Sequence, residues 1–87
     1  MGVSRYVQHA KTGGYYEVLM SAQMEADHAP VVVYQAVRTG MLCPERYGPV
    51  WVRPETEFAD GRFVAVGRYH LASLPYGPLS PTPEPQP

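Results

Sequence analysis

Three short runs rich in β-forming residues, joined by polar connections marked with glycine and proline, limit what this chain can fold into. They cover residues 15–22, 31–37 and 50–53. In the first run Tyr16, Val18 and Met20 alternate with residues that face the other way, which is the period of a strand. A further run at residues 62–69 follows Asp60-Gly61, a dipeptide typical of tight hairpins. No segment has the length and periodicity of an ordinary helix, so the sequence predicts a mostly β protein.

The other segments of the chain complete a very small barrel. Residues 31–37 are apolar on both faces and are predicted to form the central, most buried strand. Residues 4–10 are a candidate edge strand, which gives four to five short strands. Residues 54–58 begin with Pro54 and carry acidic residues near their start, which predicts a single helical turn. The predicted fold is an SH3-like or similar small β-barrel.

Proline divides the chain into two predicted parts. Six of the ten prolines fall in residues 75–87. Because proline fixes φ and has no backbone donor, we expect this tail to be disordered or extended, outside a domain at residues 1–74. A domain of that size buries only about 60% of its unfolded surface, which leaves little material for a deep catalytic cleft. Size therefore favours a surface site or a shared interface over an enzyme.

The charge balance and the cysteine content limit the classes of binding partner and the cellular compartment that we expect for this protein. Residues 1–74 contain seven acidic and seven basic residues, so the domain lacks the basic surplus of a non-specific nucleic-acid binder. Cys43 is the single cysteine, which excludes an intrachain disulfide and fits a reducing cytoplasm. No apolar run has the length of a signal peptide or a membrane helix. We expect a cytoplasmic protein without a membrane partner.

Several short blocks occur in an order that carries a resemblance. They are His9, Lys11 and Gly14, then Tyr-Glu-Val-Leu at 16–19, Val-Val-Tyr at 32–34, and Trp-Val-Arg-Pro at 51–54 with Phe58. Over residues 6–69 this order resembles the small bacterial family called domain of unknown function 1653. Thr12 is an added residue in the first block, and residues 37–48 form a longer connection than the family pattern has. The resemblance implies a small, mostly β barrel in a bacterial or phage cytoplasm, and it implies no catalytic residues.

One aromatic and charged group is the leading candidate for a binding site. Its members are Tyr16, Glu17, Tyr34, Trp51 and Arg53. Trp51 and Arg53 lie on one strand face, where an aromatic platform beside a cation would suit a peptide, a base or a carboxylate. The alternative is structural, with Trp51 filling the core and Arg53 bridging to Glu17 or Glu57.

Residue spacing gives no support to metal binding or nucleophilic catalysis. His9, His28, His70 and Cys43 match no zinc pattern. Cys43 lacks any motif for an orienting partner or an oxyanion hole. We therefore predict no metal, no cofactor and no catalytic residue.

Three functional hypotheses are compatible with these features. The leading hypothesis is a small β-barrel binding module for an unknown protein, peptide or small ligand. The second is an oligomerisation or structural subunit domain, because a small core without disulfides gains stability by association. The third is a small enzyme in which His9 and Glu17 act as acid–base groups near Lys11.

Overall fold

The computed structural model describes residues 5–77, which form one antiparallel sheet of five strands and two short helices. In chain order these are β1 (Tyr6–His9), β2 (Tyr15–Gln23), β3 (Pro30–Val37), β4 (Arg46–Pro54), α1 (Glu55–Phe58), β5 (Phe63–Val66) and α2 (Arg68–Ala72). The order across the sheet is β4-β3-β2-β1-β5, so β4 and β5 form its edges. The mostly β class and the number of strands are confirmed. The sheet is open and does not close into a barrel within the described residues.

The predicted runs correspond to β2, β3 and β4, and α1 is the predicted helical turn after Pro54. β1 was expected at an edge, but it lies inside the sheet because it pairs with both β2 and β5. The strand at the centre of the sheet is β2, although β3 is buried along most of its length. The Asp60-Gly61 turn is present, with Gly61 at φ +97°, but it joins α1 to β5 rather than two paired strands.

The fourth run ends earlier than its composition predicts. β5 stops at Val66, and residues 68–72 form α2 instead of continuing the strand. Leu71 in α2 is fully buried. A five-residue helix has little stability of its own, so α2 depends on the packing of Leu71. For that reason local helix propensity does not predict it. The described residues include no helix long and apolar enough to cross a membrane.

The register of the strands gives the sheet two different faces. Val7, Tyr16 and Ala36 are direct cross-strand partners and point to one side, here called the inner face. Tyr6, Glu17, Gln35 and Val50 are partners in the neighbouring row and point to the opposite side, the outer face.

An aromatic cluster fills the inner face. The ring centroids of Tyr16 and Tyr34 lie 5.4 Å apart, and those of Tyr34 and Phe58 lie 5.1 Å apart, both edge to face. Phe58 stacks on Phe63 at 4.1 Å with an interplanar angle of 2°. Because Phe58 ends α1, this helical turn closes over the inner face and supplies part of the core.

Helix α2 and the segment after it cover one end of the outer face. His70 contacts the ring of Tyr15, and the backbone N–H of Gly40 donates to the carbonyl of Leu71 over 2.8 Å. Thr39 Oγ1 donates to the carbonyl of Pro75 over 2.7 Å, and its own carbonyl accepts from Gly77 N–H over 3.2 Å. Residues 75–77 therefore pack against the segment that follows β3. The rest of the predicted disordered tail, residues 78–87, lies outside the described residues.

Candidate functional site

The five residues singled out in the sequence do not form one surface. Tyr16, Tyr34 and Arg53 are buried on the inner face, with exposed fractions of 0%, 2% and 7%. Trp51 is half-buried and packs against the aromatic cluster. Glu17 lies on the outer face, because its cross-strand partners are Tyr6 and Gln35.

Arg53 ties β4 to β3 and α1. Its Nε donates to the Tyr34 hydroxyl over 3.3 Å, and its Nη1 donates to Glu57 Oε1 over 2.9 Å. Its guanidinium lies over the ring of Phe63, 5.4 Å from the centroid. Burial lowers the pKa of Arg53, but the Tyr34 hydroxyl and the Glu57 carboxylate outweigh it, so the pKa is raised and the charge is retained. Arg53 is thus a strut with an internal acidic partner.

The same carboxylate oxygen also holds a second arginine. Arg62 Nη1 lies 3.0 Å from Glu57 Oε1, and Arg62 Nε lies 3.1 Å from Asp60 Oδ2. The two guanidiniums and the two carboxylates balance in charge, so this group offers no surplus charge to a ligand. It fixes the turn between α1 and β5 to the end of β4.

The Tyr16 hydroxyl lies deep in the core next to the first turn of the chain. Burial raises the pKa of Tyr16 to about 12, with contributions from Tyr34 and Tyr47, while the Thr12 hydroxyl acts in the opposite direction. A Cβ atom placed on Gly14 would lie 2.9 Å from the Tyr16 hydroxyl and 3.2 Å from its ring. The glycine that precedes β2 therefore makes room for this ring.

The acid–base pair suggested by the sequence is not brought together. His9 follows Val7 by two residues and points to the inner face, where its ring packs edge to face on Phe63 with centroids 4.9 Å apart. Glu17 points to the outer face, and Lys11 is exposed in the turn between β1 and β2. Within residues 5–77 there is also no group of three or more histidine, cysteine or carboxylate side chains that would hold a metal ion.

Exposed apolar side chains mark the part of the outer face that α2 leaves open. Met20, Val33 and Val52 are direct cross-strand partners on β2, β3 and β4. Met20 is 58% exposed and Val52 is 56% exposed, and Val50, two residues before Val52 on the same face, is 52% exposed. Met20, Val33, Val50 and Val52 are here called the apolar patch.

Arginines border the apolar patch. Glu17 lies in the same cross-strand row as Val50, and its side chain is only 11% exposed. Arg5 Nη2 lies 3.5 Å from Glu17 Oε2, and Arg46 Nε lies 3.8 Å from Glu17 Oε1. Two exposed guanidiniums thus share one carboxylate.

The sequence patterns did not predict the apolar patch. Val50 and Val52 have the residue type of buried strand positions. The edge position of β4 and the placement of α2 at the other end of the sheet leave them uncovered. The alternation also assigned Met20 to the wrong face, because Met20 is in phase with Tyr16 in the sequence but changes face after the β-bulge between Val18 and Met20.

Comparison with known proteins identifies one family. The profile described as "Protein of unknown function (DUF1653)" matches residues 5–68. This range contains all five strands and α1, and it ends at the first residue of α2. No curated protein and no solved structure matches the chain.

Proposed function

The chain belongs to the family described as protein of unknown function (DUF1653), and we propose that this member is a small interaction domain that binds another protein through its outer face. The single observation that carries the proposal is the exposure of Met20, Val50 and Val52 beside Val33. Scattered apolar side chains are ordinary on a protein surface, but a contiguous group on one sheet face is typical of an interaction site.

The energetic argument is simple. Covering the exposed half of an aliphatic side chain contributes about 1 kcal/mol, so three such side chains supply about 3 kcal/mol to association. That amount is enough to support a weak, specific contact when polar groups at the margin add to it.

The contact surface is the face of the sheet rather than its edge. β4 is an open edge, but Pro49 and Pro54 lie on it and offer no backbone donor. Prolines on an edge strand shorten the segment that a foreign strand can pair with. The apolar patch is not limited in this way, because it depends on side chains alone.

The residues singled out in the sequence support this role from the opposite face of the sheet. Tyr16, Tyr34 and Arg53 fix the inner face, so β2, β3 and β4 present the apolar patch from a rigid sheet. A rigid surface loses little conformational entropy on binding, which suits a domain with so small a contact area.

Selection of binding peptides tests the proposal. A display library of random 12-residue peptides is selected against the immobilised protein, and the affinities of the enriched peptides are measured by fluorescence anisotropy. We expect the double variant M20S/V52S to bind at least about tenfold more weakly, a loss of about 1.4 kcal/mol. The matched control is V64S, because Val64 is equally exposed but lies on β5 at the opposite edge of the sheet.

Three results would overturn this proposal. The first is the absence of any enriched peptide, and the second is equal binding of the enriched peptides by the wild type and by M20S/V52S. The third is self-association: if sedimentation equilibrium shows a dimer that M20S/V52S dissociates and V64S leaves intact, the apolar patch is a homo-oligomer interface. The oligomerisation domain considered from the sequence would then be the correct assignment.

A further inference from the structure

We propose that the segment bound by the apolar patch is acidic, with aspartate or glutamate side chains that follow its apolar residues and contact Arg5 and Arg46. This inference rests on the proposed function and adds the chemistry of the partner. It is carried by the imbalance of charge beside the apolar patch.

Glu17 compensates the nearest arginines only in part. Its two oxygens lie 3.5 Å from Arg5 and 3.8 Å from Arg46. Charge-assisted hydrogen bonds between guanidinium and carboxylate are normally about 2.7–2.9 Å long, so these are loose ion pairs. Both arginines are exposed and therefore keep donors available for a second carboxylate.

Arg68 adds a third positive charge on this side of the sheet. It begins α2, two residues after Val66, the cross-strand partner of Tyr6. Burial and Glu17 raise the pKa of the Tyr6 hydroxyl, while Arg5 and Arg68 both lower it, which places both cations near Tyr6. Three arginines against the single carboxylate of Glu17 leave a surplus of two positive charges.

The other arginines do not add to this charge, and Arg38 lies on the inner side, where Tyr47 packs against the aromatic cluster. Arg38 Nε lies 3.4 Å from Glu45 Oε1, and its guanidinium lies over the ring of Tyr47. On the inner side, Arg53 and Arg62 are matched by Glu57 and Asp60. The uncompensated positive charge of the described residues is thus mainly on the outer face, where Arg5 and Arg46 lie beside the apolar patch and Arg68 lies nearer the β5 edge. Lys11 lies apart from them, in the turn between β1 and β2.

The spacing of the rows suits an extended peptide. The row of Met20, Val33 and Val52 and the row of Glu17 and Val50 are two residues apart along β4, which is about 7 Å. An extended peptide also repeats its side chains on one face at about 7 Å. An apolar residue over Val52 and an acidic residue two or four positions further along would therefore lie beside the row of Glu17, where Arg5 and Arg46 are.

A protein segment fits this surface better than a nucleic acid does. The surplus is only two charges, and Glu17 lies between Arg5 and Arg46, where it would repel a run of phosphates. The apolar patch also lacks an exposed aromatic ring on which a base would stack. A peptide with both apolar and acidic side chains uses both parts of the surface.

Three labelled peptides test the inference on the wild-type chain. Each contains the apolar residues of the best peptide from the display selection, followed by three aspartates, three serines or three lysines. At 50 mM salt we expect the aspartate peptide to bind about five- to tenfold more tightly than the serine peptide and the lysine peptide to bind most weakly. The advantage of aspartate should shrink at 0.5 M salt, because exposed charges are screened.

Two charge variants distinguish the partner's chemistry from the existence of the site. R5Q/R46Q should abolish the advantage of the aspartate peptide over the serine peptide, whereas K11Q, which removes one exposed charge far from the apolar patch, should leave it unchanged. If all three peptides bind equally but still depend on Met20 and Val52, the proposed function stands and this inference is wrong. If a single-stranded oligonucleotide displaces the aspartate peptide at equal concentration, the surface is a nucleic-acid site and the inference is also wrong.

Discussion

Arg53 at the end of β4 and Glu57 in α1 are joined by a hydrogen-bonded ion pair, with 2.9 Å between Nη1 and Oε1. The pair lies four residues apart in the chain, yet its members belong to different elements. Because Arg53 is buried and also contacts Tyr34 and Phe63, the ion pair connects the aromatic core to the turn that closes it. The acidic partner of Arg53 is internal, so the residue acts as part of the scaffold.

The first prediction concerns this ion pair. Glu57→Gln should lower the free energy of unfolding by about 1–3 kcal/mol, because the buried guanidinium of Arg53 and that of Arg62 both lose the negative charge they share. Glu55→Gln removes an exposed carboxylate from the same helical turn and should change stability by less than about 0.5 kcal/mol. Urea unfolding followed by Trp51 fluorescence measures both. Equal effects of the two variants would show that the pair contributes nothing specific.

The second prediction concerns Gly14 and the ring behind it. Gly14→Ala should destabilise the protein by about 1–3 kcal/mol, because the new methyl group would lie 2.9 Å from the hydroxyl of the fully buried Tyr16. Measured in a Tyr16→Phe background, the same substitution should cost less, since the closest atom is gone. A thermodynamic cycle of the four proteins measures the coupling. Additive effects would contradict the proposed steric contact.

The third prediction compares two glycines with positive φ. Gly40 (φ +85°) and Gly48 (φ +76°) both have a backbone conformation that disfavours side chains, but only at Gly40 would a Cβ meet another segment, 2.6 Å from Tyr76 Cα. Gly48→Ala should therefore cost about 1 kcal/mol from the backbone alone. Gly40→Ala should cost clearly more and should increase amide hydrogen exchange at Gly77, whose N–H donates to Thr39. Similar costs at the two positions would mean that residues 74–77 adapt freely.

The fourth prediction is a loss of stability in alkali. Tyr16 has a pKa of about 12 in the folded protein against 10.0 for the ordinary side chain, so the folded state resists ionisation that the unfolded chain undergoes. This contribution to stability is fully present below pH 10 and is lost as the pH rises from 10 to 12. Between pH 10 and pH 12 the free energy of unfolding should decrease by up to about 1.4 kcal/mol per pH unit.

The control for the alkaline experiment is Tyr16→Phe, which lacks the ionising group. The difference in unfolding free energy between wild type and Tyr16→Phe should shrink or reverse between pH 9 and pH 11.5, as measured by urea unfolding. A constant difference across that range would show that Tyr16 ionises normally in the folded protein.

Much of the fold could be predicted from the sequence, because most of its elements follow from local residue patterns. The alternation from Tyr16 onward, the β-branched run at 31–37 and the proline that begins the helical turn at 54–58 each predicted an element that the structure contains. The sequence did not predict α2, because its five residues are stabilised by the burial of Leu71, and this tertiary contact has no local sequence pattern. The interior position of β1 was not predicted either, because it depends on pairing with β5, which is distant in the chain.

The candidate site could not be predicted in the same way, because the type of a residue does not determine whether its side chain is exposed. Tyr16, Tyr34 and Arg53 have the composition of a recognition surface, and the structure buries them. Val50 and Val52 have the composition of a core, and the structure exposes them. The two sets lie on opposite faces of neighbouring strands, so the side on which α1 closes decides between them.

By itself, the sequence determined the class of this protein: short strands in the right places, one helical turn, and family membership through blocks that run from His9 to Phe58. The tertiary structure alone decided that the sheet stays open, that Arg53 finds its partner in Glu57, and that the apolar patch and the arginines beside it share the outer face. The physical reason is that strand periodicity assigns side chains to alternate faces without naming which face is covered. Only the packing of α1 on one side and α2 on the other makes that assignment.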